Sequence, residues 1–348
     1  MKQFTDFREL LNDGKKCCNG YRWKQSIQSY EMQLIRWTAV NRKKLLNGTW
    51  KPRKTHDFII NERGKTRKIK AHHVQDRQIY KTYNRLVLKP AFENILVEEN
   101  SASRTGKGTD YAIKRFKQDL AYSYKKCGND FYVIIYDFRD YFNSVNHDVI
   151  CDDLLPMIYE SPNILDDYCK LFPNGVGIGG EPSQTVAIAY PHKLDRFLQC
   201  SQLVLKSGRY MDDGYVICRK KEDAKYILNK IYEHAKIMHL NINPKHTKIC
   251  CMKSENVTFL KKRVRITDTG KILMHLTKNN VRTELKRIKC QSDNSKQLIN
   301  SVIQSFSSWS SYALKYGAYY QVIKATTKFS KTFNISYEEV KKIWKKKS

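Results

Sequence analysis

The chain is 348 residues long, 41% hydrophobic and 12% aromatic, with only 8 Pro and 15 Gly. That composition excludes a disordered or low-complexity polymer, and the length allows a large buried core. Its 64 Lys and Arg against 34 Asp and Glu give a formal charge of +30, which points to a polyanionic partner.

No run approaches the ~20 apolar residues that a membrane span needs. The start, MKQFTDFRELLNDGKKCCNG, lacks the apolar core of a signal peptide, and the 10 cysteines form no CxxC or Cys/His zinc spacing. Free thiols in a reducing cytoplasm are therefore expected.

Residues 1–50 read as helical: SIQSYEMQLIRWTAVNRKKLLNGTW places apolar residues at helical intervals and stops at Asn-Gly. In 51–71, HDFII and TRKIKA flank the turn-forming NERGK, which predicts a hairpin with a basic tip. Helix returns over 72–98, with Tyr80, Tyr83, Leu86, Val87 and Phe92 on the buried side. Positive charge concentrates in this part: Arg42 to Lys89 holds 15 Lys and Arg against three acids (Asp57, Glu62, Asp76). An extended nucleic acid is the natural partner, since each phosphate neutralised releases counterions.

SRTGKGTDYAIKRFKQDLAYSYKKCG is a Gly-rich turn and then a helix that Thr109 or Asp110 would cap. In FYVIIYDFRDYF, the unbroken apolar run from Phe131 to Tyr136 predicts a buried strand ending at Asp137. A helix is expected from Asn146, a Gly-rich loop over NGVGIGGEPSQ, and a helix over TVAIAYPHKLDRFLQC in spite of Pro191. GRYMDDGYVICRK reads as two short strands around Asp-Asp-Gly. An amphipathic helix (KEDAKYILNKIYEHAKIMHLNI) and a hairpin (NVTFLKKRVRI with GKILMHL) follow. From about Lys278 the chain reads as helical, basic and aromatic. There is no internal repeat and no low-complexity linker.

The chemical question lies in Asp212 and Asp213. Adjacent carboxylates repel, and burial raises the cost. A surface turn that solvates both is one answer; a hairpin that holds divalent cations is the other. If its strands pair with the one ending at Asp137, three carboxylates converge at one sheet edge. Oxygen donors of this kind suit Mg²⁺, and two such ions serve a phosphoryl displacement.

Several motifs stand in order around these acids. YDFRDYF (136–142), GGEPSQ (179–184), YMDD (210–213), LNINPKHTKI (240–249) and FLKKRV (259–264) follow GKTRKIKA, DRQIY (76–80) and SRTGKGT (103–109). In order and spacing they resemble the motifs of bacterial reverse transcriptases, over roughly residues 50–330. The resemblance implies an α+β right-hand polymerase with fingers, a palm of antiparallel sheet plus helices, and a helical thumb. It would divide into an N-terminal helical segment (1–39), fingers (40–125), palm (126–277, with a fingers–palm loop over 171–184), and thumb with a basic end (278–348).

The same resemblance assigns roles. Asp137, Asp212 and Asp213, with the backbone of Phe138, would hold two Mg²⁺ ions, for which Mn²⁺ can substitute. Phe142 would be the steric gate against a 2′-hydroxyl. Lys65 and Arg67 would hold the triphosphate of the incoming dNTP, for which a bidentate Arg is well shaped. Ser183 and Gln184 would contact nucleotide and template, and Arg104 and Lys107 the template strand. Tyr210 and Met211 would lie near the primer end, and Phe259 and Leu260 in the turn that grips the primer.

Three positions depart from the pattern. His246 replaces the usual Lys, so the proton donor to pyrophosphate is His246, Lys245 or Lys248. Lys261 stands where Gly is usual, and Pro182 lies inside the loop.

The Ser-Gln ending of GGEPSQ, with GKGTDYAI and SFSSWSSYALKYGAYY (305–320), resembles the diversity-generating retroelement group; phage-defence enzymes are the rival. The group implies a bacterial or phage cytoplasmic enzyme that copies a structured non-coding RNA from an RNA/DNA or DNA primer. It also implies an oligomeric basic accessory protein, with no membrane partner and no maturase, zinc or endonuclease segment. The alternative is a defence enzyme making templated or untemplated DNA, or largely an RNA-binding scaffold. In the C-terminal segment, Trp309 and Tyr312 are expected inside, and the last lysines, Lys341, Lys342 and 345–347, solvated.

Overall fold

The computed structural model describes residues 4–62, 65–290 and 299–345; the tip of the 51–71 hairpin and the last lysines, 346 and 347, lie outside them. The chain opens with helices α1 (Phe7–Cys18), α2 (Gln25–Met32) and α3 (Leu34–Leu46). Asp6 caps α1 by accepting from the Arg8 and Glu9 amides at 2.8 and 3.0 Å. The helical reading of 1–50 resolves into these three helices, with α2 and α3 separated at Gln33, and Gly48 follows the last with φ +64°. Hairpin β1 (His56–Glu62) and β2 (Lys65–Ala71) pairs in full register, as expected.

Helix α4 (Val74–Tyr83) runs through a π-helical turn into α5 (Lys89–Glu93), and α6 spans Thr109–Cys127. The predicted cap of α6 is absent: Gly108 occupies that position and no side chain bonds there. Strand β3 (Tyr132–Asp137) is followed by short helices α7 (Tyr141–Ser144), α8 (His147–Val149) and α9 (Asn163–Cys169). Asn146 caps α8, as its position suggested. The helix read across Pro191 is two, α10 (Glu181–Ala189) and α11 (His192–Cys200). Proline has no N–H and its ring clashes with the preceding turn, so the helix ends there. Pro182 sits in the first turn of α10, where that missing donor costs nothing.

Strands β4 (Val204–Tyr210) and β5 (Asp213–Cys218), helix α12 (Lys221–Ile237) and β6 (Lys248–Cys251) complete a four-stranded sheet of order β4-β5-β3-β6, with antiparallel pairs. A second sheet follows, β7 (Val257–Phe259), β8 (Lys262–Ile266) and β9 (Ile272–Leu276), where a simple hairpin was expected. Helices α13 (Lys278–Cys290), α14 (Ile299–Lys315), α15 (Tyr319–Phe333) and α16 (Tyr337–Lys345) close the chain.

The unbroken apolar run in β3 is explained by its place between two cores. Val133 and Ile135 face α6 and the second sheet, with Phe116, Leu120, Tyr215, Ile217 and Phe259. Ile134 and Tyr136 face the other way, toward Val216, α12 and α10. The C-terminal helices have a core of their own around Phe306, Trp309, Val322 and Phe329. Trp309 is buried there as predicted, while Tyr312 is only partly buried. No helix among the described residues is long and apolar enough to cross a membrane.

The segment read as a loop over 171–184 gives way to α10 at Glu181, and it is held at its middle by two bonds. Ile178 O accepts from the Lys70 amide at 3.0 Å, joining the loop to β2, and the Phe142 carbonyl accepts from Val176 N at 2.9 Å. Gly175 makes this approach possible. Its φ is +70°, and a Cβ there would stand 2.1 Å from the Phe142 carbonyl oxygen. Gly175→Ala is expected to cost roughly 1–3 kcal/mol, read as a lower urea midpoint.

Candidate active site

The hairpin that carries YMDD is tighter than the sequence suggested. β4 ends at Tyr210 and β5 begins at Asp213, so these two residues pair and Met211–Asp212 alone make the tip. Met211 takes the left-handed conformation, φ +57°. Gly214 is a strand residue opposite Arg209, not a turn glycine. It is required because a Cβ there would lie 2.1 Å from the Tyr136 ring.

Asp213 stands directly across from Asp137 in the β3–β5 pair, and the Phe138 amide donates to Asp212 O at 3.3 Å. The three aspartates thus share one end of one sheet. Directly opposed residues have Cβ atoms about 5 Å apart, and like charges so placed are destabilising.

Among the described residues, no group of three or more His, Cys, Asp or Glu side chains closes tightly enough to hold a metal ion as it stands. The backbone brings the acids together, but the Asp137 carboxylate is turned to a neighbour: its Oδ2 accepts from Asn243 Nδ2 at 2.9 Å. The donor set itself, carboxylate oxygens with backbone carbonyls beside them, fits a hard divalent cation.

Asn243 was quoted within a motif but not singled out. Its backbone amide donates to Asp137 O at 2.8 Å, and its Oδ1 accepts from the Lys245 amide at 3.2 Å. Its carbonyl accepts from the His246 amide at 3.1 Å. One asparagine therefore orients Asp137 and sets the turn that presents Lys245 and His246, both exposed.

The second missed residue is Arg209. Its guanidinium is 2% exposed and meets the Asp195 carboxylate (4% exposed) from Nε and Nη2, the shortest contact 2.5 Å. Nη1 donates to Met211 O and Nη2 to Ile188 O, each at 2.8 Å. Burial opposes its charge, but the Asp195 carboxylate outweighs this and keeps it ionised beyond the usual arginine range.

The break at Pro191 supplies these partners. Ala187 O would have accepted from residue 191, and Tyr141 Oη donates to it instead, at 2.5 Å. Ile188 O also accepts from Asn100 Nδ2 at 2.9 Å. The Glu99–Ser101 segment is joined to β4 through Arg209 N to Glu99 O, 3.2 Å, and Ser101 N to Arg209 O, 3.0 Å. A buried arginine beside an Asp-Asp pair was the available sequence signal.

The remaining sequence-predicted residues divide into those at the surface and those drawn into the scaffold. Phe142 is partly buried against Tyr141, with ring centroids 6.0 Å apart, at the mouth of the 171–184 loop. Arg67 is exposed on β2; the side chain of Lys65, on the same strand, lies outside the described residues. Gln184 is exposed and its Oε1 accepts from Ser103 Oγ at 3.3 Å. Tyr210 Oη accepts from Thr109 Oγ1 at 3.1 Å.

Ser183, by contrast, is 1% exposed, with its hydroxyl against Tyr168 Oη and Val176 O. Next to it, burial pushes His72 down to about 4, so this ring is neutral among Tyr80, Tyr168 and Phe172. Arg104 spends its guanidinium on Val97 O (2.7 Å), Asn100 O (3.2 Å) and Glu93 (2.5 Å). Lys107 reaches Glu98 at 2.9 Å and the Glu98 carbonyl at 2.8 Å.

Phe259 is core, its ring 5.0 Å from Phe116 and 5.1 Å from Tyr215. Leu260 and Lys261 form the tip between β7 and β8 with φ +46° and +63°. Lys261 thus adopts the conformation for which a glycine is usual, so the turn survives the departure. For Ser183, Arg104 and Phe259, neighbouring polar or apolar groups claim the atoms that the sequence had offered to a substrate.

An α+β fold in which a central strand ends at an aspartate beside an Asp-Asp hairpin, with helical units before and after, is that of a right-hand polymerase. The chain belongs to the reverse transcriptase family: it matches the family described as reverse transcriptase (RNA-dependent DNA polymerase) over residues 53–264. Domains of this family work with divalent metal ions. No curated protein matches the chain.

Among solved structures it is similar to Candida albicans telomerase in complex with a fragment of telomeric RNA, at 12% identity and TM-score 0.49, covering 84% of this chain and 61% of that one. Apo telomerase from Candida tropicalis gives 13% and 0.47, with 84% and 59% covered. The same telomerase truncated of its C-terminal domain gives 12% and 0.46, with 63% and 54% covered. The chain spans at most about three fifths of these telomerases, and the family assignment rests on the family match.

The Arg209–Asp195 pair yields a stability test. Arg209→Met leaves a buried carboxylate unpaired and is expected to cost about 3–5 kcal/mol, whereas Arg209→Met with Asp195→Leu regains most of it. Urea unfolding of the two variants checks this.

Proposed function

We propose that the chain is an RNA-directed DNA polymerase of a bacterial or phage retroelement that copies a dedicated structured RNA. The observation that carries the reading is the register of β3 and β5, which sets Asp137 opposite Asp213 with Asp212 in the adjoining turn. A chain of formal charge +30 has reason to hold such an acidic edge where cations gather against a polyanion.

In this reading Asp137, Asp212 and Asp213 hold two divalent ions, Mg²⁺ by its preference for oxygen donors, with Mn²⁺ able to substitute. Such ions, when bound, neutralise charge at the attacking and leaving oxygens of a phosphoryl transfer. The chain's own groups do the rest. Asn243 aims the Asp137 carboxylate. Arg67 and Lys65 on β2 take the triphosphate. Phe142 closes the space beside a 2′-hydroxyl. The primer 3′-hydroxyl gives its proton to water as its oxygen bonds the dNTP α-phosphorus; the bond from that phosphorus to the β-phosphate oxygen breaks, and pyrophosphate departs with a proton from His246, Lys245 or Lys248. Ser183 and Arg104 act by holding their loops, and Gln184 and Arg67 meet the substrates.

The domain division follows the same reading: 40–125 as fingers, 126–277 as palm, 278–348 as thumb. We place the chain in the diversity-generating group, on the Ser183–Gln184 ending and the 305–320 segment, with a basic accessory protein as partner. A template and variable repeat pair beside the gene supports that role; defence genes in their place remove it.

Primer extension on homopolymer and heteropolymer RNA tests the activity. Wild type is expected to extend with dNTPs, and Asp212→Asn to lose at least about a hundredfold. Equal, minimal incorporation by both ends the polymerase reading. Phe142→Ala is expected to raise rNTP relative to dNTP incorporation, and an unchanged ratio removes the gate.

A further inference from the structure

Strand β8 alternates faces: Lys262, Val264 and Ile266 are buried, Arg263 and Arg265 exposed. A lysine therefore fills a core-facing position. It is 0% exposed, and its Nζ has no hydrogen-bond partner among the described residues. What it meets is aromatic. Nζ stands 3.9 Å from the Tyr312 ring centroid and 4.2 Å from that of Tyr316. Tyr312 lies in α14 and Tyr316 one residue past its end, with their rings 5.2 Å apart at 60°. The two faces form a cage around the ammonium.

Two opposed effects act on this group. Burial pushes the ammonium down to about 8. The ring faces favour the charged form, as does Asp110 on α6, while Lys261 and Lys315 oppose it. For filling space alone, Met or Leu would serve without the desolvation of an amine.

The cage also lies at a junction. The C-terminal helices have their own core, to which the second sheet contributes Leu276 from β9. A further bridge is Lys315 to Asp110 at 2.7 Å, an exposed pair of the kind that contributes little. Lys262 sits immediately after the Leu260–Lys261 tip, and the Lys261 carbonyl accepts from Thr277 N at 3.3 Å, just before α13.

We propose that Lys262 is a positioning residue whose cage by Tyr312 and Tyr316 keeps α14 and the C-terminal helices closed on a bound primer–template duplex between nucleotide additions. The proposal rests on the reverse transcriptase reading for its ligand. It separates two tasks: the aspartate edge performs each addition, and the cage sets how many occur before the duplex leaves.

The test compares the full-length chain with Lys262→Met, a Tyr312→Phe/Tyr316→Phe pair and a Tyr312→Leu/Tyr316→Leu pair. Four quantities are measured on an RNA-templated DNA primer: thermal midpoint, single-nucleotide addition, duplex dissociation rate, and product length with a heparin trap. Lys262→Met removes a buried charge, so its midpoint is expected to hold or rise. Its single-nucleotide addition stays at wild-type level, its duplex leaves about fivefold faster, and its products shorten, as the loss of a desolvated cation–π contact predicts. The Phe pair keeps both ring faces and behaves as wild type; the Leu pair matches Lys262→Met in dissociation and product length, while its midpoint falls because the ammonium stays buried without the rings.

Wild-type dissociation by Lys262→Met overturns the proposal, as does a Phe pair as defective as the Leu pair. A wild-type chain that adds no nucleotide defeats the polymerase reading instead, and duplex dissociation still reports on the cage.

Discussion

The geometry of the acidic edge depends on one buried guanidinium. Arg209 sits three residues before the first aspartate of the hairpin and binds Asp195 of α11, Ile188 O at the end of α10, and Met211 O in the tip itself. A charge that is 2% exposed is tolerated only when paired and fully hydrogen-bonded, so the arrangement around it has little freedom. It locks the left-handed Met211 in place, and with it the position of Asp212. The hydroxyl of Tyr141, from the segment after β3, binds Ala187 O at the same helix break. Both halves of the acidic edge are thus referred to one point, the interruption at Pro191.

Around that point the protein manages a conflict of charge. The chain is strongly basic, yet its most specific feature is a set of mutually repelling acids. The structure answers locally: Asn243 donates to Asp137, and the buried Arg209 is paired with Asp195. The bases of the 103–109 turn are likewise occupied, Arg104 by carbonyls and Glu93, Lys107 by Glu98. Those on β2 and in the Asn243 turn, Arg67, Lys245 and His246, are exposed.

Much of the architecture was legible because its signals are local. The Phe131–Tyr136 run announced a strand buried on both faces. HDFII and TRKIKA around NERGK announced a hairpin, and Asn146 a cap. The readings that failed did so where a distant group decided the outcome. Gly214 looked like a turn glycine because Asp-Gly favours turns, but the Tyr136 ring, 78 positions earlier, is what excludes a Cβ there. Ser183 looked like a substrate contact, yet Tyr168 and Val176 claim its hydroxyl. Phe259 looked like part of a grip, yet the α6 and β5 aromatics draw it into the core.

By itself the sequence determined most of the strands and helices, the positive charge, the order of the motifs and the candidate acids. The elements and the charge follow from periodicity and composition along the chain, the motifs and acids from their spacing and the resemblance they carry. Only the tertiary structure decided that Asp137 and Asp213 are cross-strand partners, that Arg209 and Asn243 fix their setting, and that a lysine meets two tyrosines 50 and 54 positions away. The physical reason is that pairing register, burial of charge and the satisfaction of orphaned carbonyls are properties of contacts between remote segments. A local pattern can require such contacts without naming the partner.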